Sequence, residues 1–486
     1  MHRGLVLLLA LAMAGAGCIG SQQDTDDLDP ASLPTTAPDL PPGVVALDLT
    51  VDPVMGFTTQ VVDAAIGYTN DLYEPTMEVS DTGVIYVTGH TILVDTTGAP
   101  VFMSKDDGET WEQLPFLGPA QMPAGIHGAT PPPSDEIFLT AGDDGQLWGV
   151  DITLATFPVN GWCNDGAELC YHNPNAYDEV QANTARADAA TGGSCSLLNV
   201  NDRPWSAYGD GKLLLVNNAG GGPVQVGLMD VPTMPVGGPG LDQAEPLSAD
   251  WNLCAGEGGG FIPGIPDMRD DHFFAVPQVQ GDELVIVKGH GDVHDVEQVT
   301  VFETTSAGPG TSNYGQVVFD AEGTMFVGIR NNTYEEVERE GTFGPTTALE
   351  AKEGQLKIAV SQDDGETFVH RTFHVGTPTS SIYMDGNMHG PGALLTWAQE
   401  GDDATDWYAA HLTVGADGEP VIENVSLVLD EGPFPSAHVQ GAAVGPDGRA
   451  HLVMYNGGYD VTDRATPLDV LVQGDGPTLP VTLPTS

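Results

Sequence analysis

The sequence predicts an all-β fold made of a repeated, strand-rich unit. Apolar residues alternate with a period of two along most of the chain, and 62 glycines and 37 prolines punctuate these short runs. No long amphipathic helical pattern interrupts them. One octapeptide occurs twice, as Ser-Lys-Asp-Asp-Gly-Glu-Thr-Trp at 104–111 and as Ser-Gln-Asp-Asp-Gly-Glu-Thr-Phe at 361–368. Two copies so far apart indicate a repeated structural unit.

The octapeptide predicts a tight turn between two strands. Each copy follows a short apolar run, its Asp can accept hydrogen bonds from backbone amides, and its Gly takes the positive φ. The Thr-aromatic pair then opens the next strand. The defining residues are Ser104, Asp106, Gly108, Thr110 and Trp111 in the first copy and Ser361, Asp363, Gly365, Thr367 and Phe368 in the second.

Both copies resemble the Asp-box, the bacterial neuraminidase repeat S-x-D-x-G-x-T-[WF] of the sialidase-like β-propeller superfamily. The resemblance implies a β-propeller of four-stranded blades, with each box in the turn between the two outer strands of a blade, away from the pocket. Such boxes occur in sialidases, in other glycosidases, in sorting receptors and in propellers without known catalysis. The resemblance therefore indicates the architecture and leaves the chemistry open.

A looser repeat predicts the number of blades. It consists of a short strand, a polar turn and a strongly apolar strand, which in a propeller would be the turn between the innermost and second strands. The seven copies lie at 78–87, 134–139, 208–215, 280–287, 320–327, 387–395 and 445–453. We therefore favour seven blades with loop insertions, with six blades as the alternative. The segment 44–51 or 58–62 would supply the outer strand that closes the ring.

The N-terminal segment predicts export. Residues 1–17 have a charged tip, a short apolar run and small residues, as in a signal peptide. Cys18 follows Gly17 in a pattern that resembles the lipobox of prokaryotic lipoproteins, although Gly15 stands where Leu is usual. Residues 18–43 would form a lipidated, disordered tether and 44–486 the propeller. We expect a lipid-anchored protein on the extracellular face of the membrane, or a secreted one if Cys18 is only a cleavage site.

The net charge of the chain limits the classes of molecule that it is expected to bind. It carries 14 Lys and Arg against 69 Asp and Glu, a net charge of −55. Nucleic acid and anionic membrane surfaces are therefore poor partners, and membrane contact is expected only through the N-terminal lipid. A solvated surface is the simpler interpretation, and a cationic ligand or a set of calcium sites is the alternative. We expect a monomer with no cofactor, calcium alone being left open.

The cysteines predict disulfides. Besides Cys18 the chain has Cys163, Cys170, Cys195 and Cys254, and an even number in an exported chain indicates two bridges with three possible pairings. We favour Cys163–Cys170 together with Cys195–Cys254. A zinc site is not expected, because no close Cys-x-x-Cys pair is present.

A ring of polar residues is predicted at the mouth of the channel. Propellers usually bind ligands there, through residues just before each innermost strand. Counting back nine or ten positions from the turn glycines, and taking the corresponding place in the blade without one, gives Glu74, His127, Asp202, His272, Tyr314 and His438. The alternative is that these are ordinary polar residues at loop ends.

Two of these positions resemble entries of secreted, sialidase-like repeat proteins. Glu-Pro-Thr-Met at 74–77 is similar to E-P-S-I-A, and Asp-Arg-Pro-Trp-Ser-Ala at 202–207 is similar to D-[RK]-P-W-x-A. Arg203 could hold a carboxylate and Trp205 could stack on a sugar face. Equally, Arg203 could pin the strand entry through Asp202 while Trp205 packs between blades.

Sialidase activity is not expected. A sialidase needs three arginines around the substrate carboxylate, a Tyr activated by a Glu and an acidic acid/base. The first of these arginines should precede the first Asp-box, yet there is no Arg or Lys between Arg3 and Lys105. The remaining candidates could fill two positions at best, and they are Arg203, Arg269, Arg330 and Arg371.

The sequence therefore favours a cell-surface propeller that binds glycans or proteins. A glycoside hydrolase acting on a neutral or cationic glycan is the alternative, with Glu74 and Asp202 as its carboxylates. A structural component of a surface layer or assembly is the third reading. The sequence leaves open whether the protein is an enzyme.

Overall fold

The computed structural model is almost entirely β in the part of the chain that it describes. Thirty strands and one short 3-10 turn at Asp143–Gly145 account for its regular structure. The described residues are 40–49, 52–62, 73–90, 100–114, 136–152, 159–163, 165–166, 168–173, 202–218, 224–231, 249–252, 255–256, 264–305, 315–341, 344–400, 405–432, 441–455 and 468–482.

The strands form seven blades, each with four antiparallel strands that follow chain order from the axis outwards, except that β2 is the outermost strand of blade 7. Each innermost strand contacts the innermost strands of the two neighbouring blades, and the last contacts the first, so the blades form a closed ring. This confirms a seven-bladed β-propeller, and excludes the six-bladed alternative.

The first four blades follow one another without interruption. Blade 1 contains β3 (Tyr73–Val79), β4 (Ile85–His90), β5 (Val101–Ser104) and β6 (Glu112–Gln113). Blade 2 contains β7 (Glu136–Ala141), β8 (Leu147–Ile152), β9 (Val159–Cys163) and β10 (Glu168–Asn173). Blade 3 contains β11 (Asp202–Gly209), β12 (Lys212–Asn218), β13 (Gln225–Asp230) and β14 (Ala249–Asn252). Blade 4 contains β15 (Asp267–Met268), β16 (Phe273–Gln280), β17 (Glu283–His290) and β18 (Val296–Glu303).

Blades 5 and 7 also take strands from elsewhere in the chain. Blade 5 contains β19 (Gln316–Phe319), β20 (Met325–Arg330), β22 (Gly344–Ser361) and β23 (Val369–Gly376), with β1 (Val44–Ala46) at its outer edge and β21 (Thr333–Gly341) paired to an extension of β22. Blade 6 contains β24 (Thr379–Gly386), β25 (Ala393–Glu400), β26 (Thr405–Val414) and β27 (Pro420–Gly432). Blade 7 contains β28 (Gly441–Val444), β29 (Ala450–Tyr455), β30 (Leu468–Asp475) and β2 (Gly56–Val61).

The hydrophobic cores lie between blades. Along β4, Ile85 and Val87 pack against Val470 of blade 7, whereas the intervening Tyr86 faces the opposite way and packs against Trp162 of blade 2. Successive residues of a strand point to opposite faces, so a blade with a neighbour on each side needs apolar residues at nearly every position. The strongly apolar second strands of the looser repeat are explained by this double burial.

The N-terminal segment closes the ring. Strand β2 pairs with β30 and supplies the outermost strand of blade 7, as expected for one of the two segments named from the sequence. The other segment contains β1, which instead runs parallel to β23 of blade 5. Between them, Ser426 Oγ of blade 6 accepts hydrogen bonds from the backbone N–H groups of Val54 and Met55, at 3.1 and 3.0 Å. We call residues 44–49 and 52–61 the N-terminal strap, since they contact blades 5, 6 and 7.

The two Asp-boxes occupy equivalent turns. They join β5 to β6 and β22 to β23, which are the two outer strands of blades 1 and 5. In the first, the Ser104 Oγ accepts from Gly108 N–H at 2.8 Å, and Asp106 Oδ1 accepts from Thr110 N–H at 2.8 Å. The second repeats these bonds at 2.8 Å for Ser361–Gly365 and 2.9 Å for Asp363–Thr367.

Two copies of the looser repeat were placed wrongly within their blades. Residues 136–139 belong to the innermost strand β7 itself, and Gly281 lies between the second and third strands of blade 4. The innermost-to-second turns of these blades are at 142–146 and 269–273. Glycines with positive φ occur in both kinds of turn, at Gly145 and at Gly281, so the turn residues do not reveal which pair of strands they join.

One of the two favoured disulfides is present. Cys163 and Cys170 are bonded and join β9 to β10, the outer strands of blade 2. Cys195 and Cys254 lie outside the described residues, as do the signal peptide, Cys18 and most of the tether. Within the described part of the chain, no helix has the length and apolar character needed to cross a membrane.

Candidate functional site

A cavity of about 270 Å³ lies on the propeller axis. Every innermost strand contributes to its wall, through Glu78, Thr140, Ser206, Asp267, Val318, Asp385 and Val444. Its open end lies where innermost strands turn into second strands, since Asp81, Asp143 and Asp270 of those turns also line it. This is the opposite end of the channel from the mouth considered in the sequence.

Three carboxyl groups of the wall each accept a hydrogen bond from the backbone of the next blade. Asp267 Oδ2 accepts a hydrogen bond from Phe319 N–H, and Asp385 Oδ2 accepts one from Val444 N–H, both at 2.7 Å. Glu78 likewise accepts a hydrogen bond from the backbone of Ala141. In each case the acid is on an innermost strand and the donor is on the innermost strand of the next blade. The three acids therefore help to join neighbouring blades at the axis.

The position of these acids raises their pKa values. Burial is the main cause, and it raises the pKa of Asp267 and of Asp385 to about 7 and that of Glu78 well above its usual range. The charges of Asp385 and Asp267 raise the pKa of Glu78 further. The backbone hydrogen bonds act in the opposite direction, because they favour the ionised form. Each side chain keeps partial solvent exposure, since it faces the channel.

Tyr383 completes the group. It lies on β24, lines the cavity and is only 5% exposed. Burial raises the pKa of its hydroxyl well above 10, and the charges of Glu78, Asp385 and Asp267 add to this effect. Its hydroxyl forms no hydrogen bond with a described residue and is not fully buried, so it faces the open space of the cavity. We call Glu78, Asp267, Tyr383 and Asp385 the channel group.

The cavity is strongly acidic. Six carboxyl side chains line it, and no Lys or Arg does so within the described part of the wall. The six are Glu78, Asp81, Asp143, Asp267, Asp270 and Asp385. Such a surface attracts cations and offers acceptors to hydroxyl groups, and it repels a carboxylate.

The ring named from the sequence is described only in part. Glu74, Asp202 and Arg203 lie in the first halves of β3 and β11, where the structure describes the backbone alone. His127, Tyr314 and His438 lie outside the described residues.

The side chain of Trp205 packs in the protein interior, away from the cavity. Its side chain is fully buried, and its ring meets the Phe138 ring edge to face with centroids 5.2 Å apart and an interplanar angle of 89°. This contact joins blades 3 and 2, so Trp205 packs between blades, as in the second of the two interpretations of this residue.

The other three residues of the prediction lie away from the cavity wall. His272 is in the turn between β15 and β16, with φ of 65°, and its Nε2 lies 3.1 Å from the Asp210 carbonyl oxygen. Arg269 forms ion pairs with Asp271 and Asp364, and Arg330 donates a hydrogen bond to the carbonyl of Ser380. None of the three is among the lining residues.

The prediction from the sequence did not include the channel group, because it counted from the turn glycines to the other end of each innermost strand. Glu78, Asp267 and Asp385 each lie two residues before the residue that opens the innermost-to-second turn, namely Ser80, Arg269 and Asn387. Three blades therefore have an acid two residues before the start of this turn, and this regularity can be recognised in the sequence. Tyr383 follows no such pattern, and only the fold brings it to the acids.

No metal centre is seen in the described residues. No group of three or more His, Cys, Asp or Glu side chains there is arranged to hold a metal ion. The calcium sites left open by the sequence stay a prediction.

Comparisons with known proteins give only distant structural similarity. No protein-family model matches this chain, and no curated protein matches its sequence. Among solved structures, the chain is similar to the endosialidase of phage phi92, with 12% identity over 89% of this chain and 71% of that chain and a TM-score of 0.40. It is similar to an α-L-arabinanase of Penicillium chrysogenum, with 13% identity, coverage of 87% and 98%, and a TM-score of 0.39. The NanB sialidase of Streptococcus pneumoniae gives 9% identity, coverage of 83% and 69%, and a TM-score of 0.40. No residue role is transferred at this level of similarity.

Proposed function

We propose that the protein is a cell-surface β-propeller that binds neutral or cationic glycans in its central channel, without sialidase activity. The acidic lining of the cavity is the observation that carries the proposal. Carboxylates accept hydrogen bonds from sugar hydroxyls, and the walls of a channel can surround a sugar unit on several sides. In this proposal a lipid on Cys18 holds the protein at the extracellular face of the membrane.

The same lining argues against a sialic acid ligand. A sialic acid carries a carboxylate, which needs fixed cations around it. Arg269 is engaged by two carboxylates and Arg330 by a backbone carbonyl, and neither lines the cavity. The six lining acids would repel the substrate carboxylate.

A glycan array read by both binding and hydrolysis tests this proposal. Neutral or amino glycans should bind and sialylated ones should not. Asp385→Asn should weaken binding by about tenfold or more, because it removes a charged acceptor in the wall. Glu322→Gln is the matched control, since Glu322 is an exposed carboxylate in the β19–β20 turn and does not line the cavity. Sialoside binding, or wild-type binding by Asp385→Asn, would contradict the proposal.

A second candidate is a glycoside hydrolase, and the pKa values of the channel group favour it. A carboxyl with a pKa of about 7, as at Asp267 and Asp385, is partly protonated at neutral pH and can act as a general acid. Turnover of neutral or amino aryl-glycosides, lost in Asp267→Asn or Asp385→Asn, would support this candidate. Glu74 and Asp202 stay candidates for the same role, and loss of turnover in Glu74→Gln or Asp202→Asn would assign it to them instead.

A protein is the alternative ligand for the acidic opening of the cavity. Capture of a basic polypeptide that competes with the glycan would place it at the same acidic opening. A protein that binds neither kind of ligand and assembles with itself would instead be a structural component.

A further inference from the structure

We propose that the channel group recognises a protonated primary amine of the ligand. The inference rests on the proposed glycan-binding function and narrows its ligand to saccharides with a free amino group. The ammonium would lie between Glu78, Asp267, Asp385 and Tyr383, where it would donate hydrogen bonds to the carboxylates and to the tyrosine hydroxyl.

The charges of the wall favour a cation at this position. Three carboxyls of the channel group act on one another electrostatically, and no Lys or Arg side chain of the described wall offsets them. A cation of the ligand would therefore meet no fixed positive side chain of Lys or Arg in the described wall. A ligand ammonium brings one positive charge and three N–H donors, which a neutral hydroxyl does not.

The carboxylates keep acceptor sites for such a ligand. Each carboxylate has about four lone-pair directions. Asp267 uses one oxygen for Met268 N–H and the other for Phe319 N–H, both at 2.7 Å, and Asp385 receives Val444 N–H on Oδ2. The remaining lone pairs belong to side chains that line the cavity and are partly exposed to it. The backbone bonds fix the orientation of the carboxylates before any ligand arrives.

Tyr383 gives an independent indication of a ligand. Its side chain is 95% buried and lines the cavity, yet its hydroxyl bonds to no described residue. The hydroxyl oxygen is not among the fully buried side-chain atoms that lack a partner, so it reaches the channel and can contact a ligand there. An N–H donor in the cavity would supply the missing bond, because the phenolic oxygen can accept from it.

Calorimetry with three matched disaccharides tests this inference on the full chain. The probes are the β-1,4-linked glucosamine dimer, its di-N-acetylated form and cellobiose, which differ only in the substituent at C2 of each sugar ring. The amine should bind at least about tenfold more tightly than the other two, as expected for a hydrogen-bonded charge. Equal affinity for all three would overturn the amine inference and leave the proposed glycan binding intact. Absence of binding to any of them would overturn both.

A single-atom variant keeps the test independent of folding. Tyr383→Phe removes a hydroxyl that has no partner in the described structure, so the thermal midpoint should not fall. Amine affinity should drop by about tenfold and by more than cellobiose affinity, because a hydrogen bond to a charged donor is stronger than one to a neutral hydroxyl. Glu322→Gln serves as the control that should bind like wild type. Unchanged amine affinity in Tyr383→Phe would overturn the inference.

Discussion

Arg449 of the last blade forms an ion pair with Asp107 of the first. Arg449 Nη2 lies 3.0 Å from Asp107 Oδ1, and its Nη1 lies 3.2 Å from Oδ2. Asp107 is the second aspartate of the first Asp-box, whereas Arg449 lies in the innermost-to-second turn of blade 7. The pair thus joins the two ends of the ring outside the β2–β30 ladder.

The second Asp-box has the same arrangement. Asp364 corresponds to Asp107, the two have φ of 55° and 56°, and Asp364 is bound by Arg269 at 2.6 Å. Arg269 lies in the innermost-to-second turn of blade 4, the blade before the one that carries the box. In blade 2, Asp165 has φ of 52° and accepts a hydrogen bond from Thr82 of blade 1 at 2.8 Å. An outer turn bound by an inner turn of the preceding blade therefore occurs three times among the residues that the structure describes.

Replacing the two arginines should affect stability unequally. Arg449→Met should lower the free energy of unfolding by less than about 1 kcal/mol, because partly exposed ion pairs contribute little. Arg269→Met should cost more, about 1–2 kcal/mol, since Arg269 also lies over the Phe273 ring at 4.7 Å. Urea unfolding would measure both. Lys105→Met is the control, as Lys105 is exposed. Equal losses in the two arginine variants would refute the added role of the ring contact.

The two Asp-boxes should respond alike to loss of their serine. Ser104→Ala and Ser361→Ala each leave the buried N–H of the box glycine without its acceptor, which costs about 1–3 kcal/mol. Lys105→Ala and Gln362→Ala, at the variable second position of each box, should change stability little. Chemical denaturation of the four variants measures this. A large loss at one serine and none at the other would contradict the equivalence of the boxes.

Asp385 should make the fold less stable as pH rises. Its pKa is about 7 in the folded protein and near 3.8 in the unfolded chain, so the folded state holds a proton that the unfolded state releases. The stabilisation is complete below about pH 4 and is lost as pH rises through about 7. Unfolding free energies at about pH 5 and about pH 8 should differ less in Asp385→Asn than in wild type. Asp417→Asn, in an exposed turn, is the control, and an unchanged difference in Asp385→Asn would argue against this pKa.

His411 should act in the opposite direction. Burial lowers its pKa to about 4, and its Nδ1 lies 3.0 Å from Asn424 Nδ2. Above its usual pKa of 6.5 the histidine is neutral in both states, so its contribution is complete. As pH falls from about 6.5 through about 4, the unfolded chain binds a proton that the folded protein does not, and stability is lost. When urea unfolding is measured at a series of pH values, the free energy of unfolding of His411→Gln should fall less steeply with decreasing pH than that of wild type. His294→Gln, at an exposed histidine, should match wild type.

Truncation of the N-terminal strap should have a graded effect. Removal of residues up to 49 deletes β1 and the contacts of Leu47 and Leu49 with the core between blades 5 and 6, and should lower the thermal midpoint by a few degrees. Removal up to 61 also deletes β2 and leaves β30 as an unpaired edge, which should give aggregation. Light scattering during a thermal scan distinguishes the two. A monomeric, stable product of the longer deletion would disprove a closing role for β2.

The fold could be predicted from the sequence because its signals are local. The boxes at 104–111 and 361–368 each specify a turn through bonds between residues two to four positions apart. The count of seven was correct although 134–139 and 280–287 were placed at the wrong turns. Each of those segments still falls once in its own blade, so an error of position did not alter the number.

The candidate site was harder to predict from the sequence, because its residues come from different blades and lie close together only in the folded protein. Asp267 and Asp385 are far apart in the chain and meet only because seven innermost strands surround one axis. Counting back nine residues from Gly281 gave His272, which the structure places in a turn at the other end of the strand. The net charge of −55 left a cationic ligand open as an alternative, but it did not indicate which acids face the cavity.

The N-terminal strap has a consequence for biosynthesis. Blade 7 combines residues 56–61 with residues 468–475, so its sheet forms only when the last part of the chain has emerged. A strand made early must wait for a partner made late, and contacts between such distant residues form slowly. The segment that is made first is therefore among the last to be folded, and nascent chains that stop short of residue 468 would carry an unpaired β2 strand.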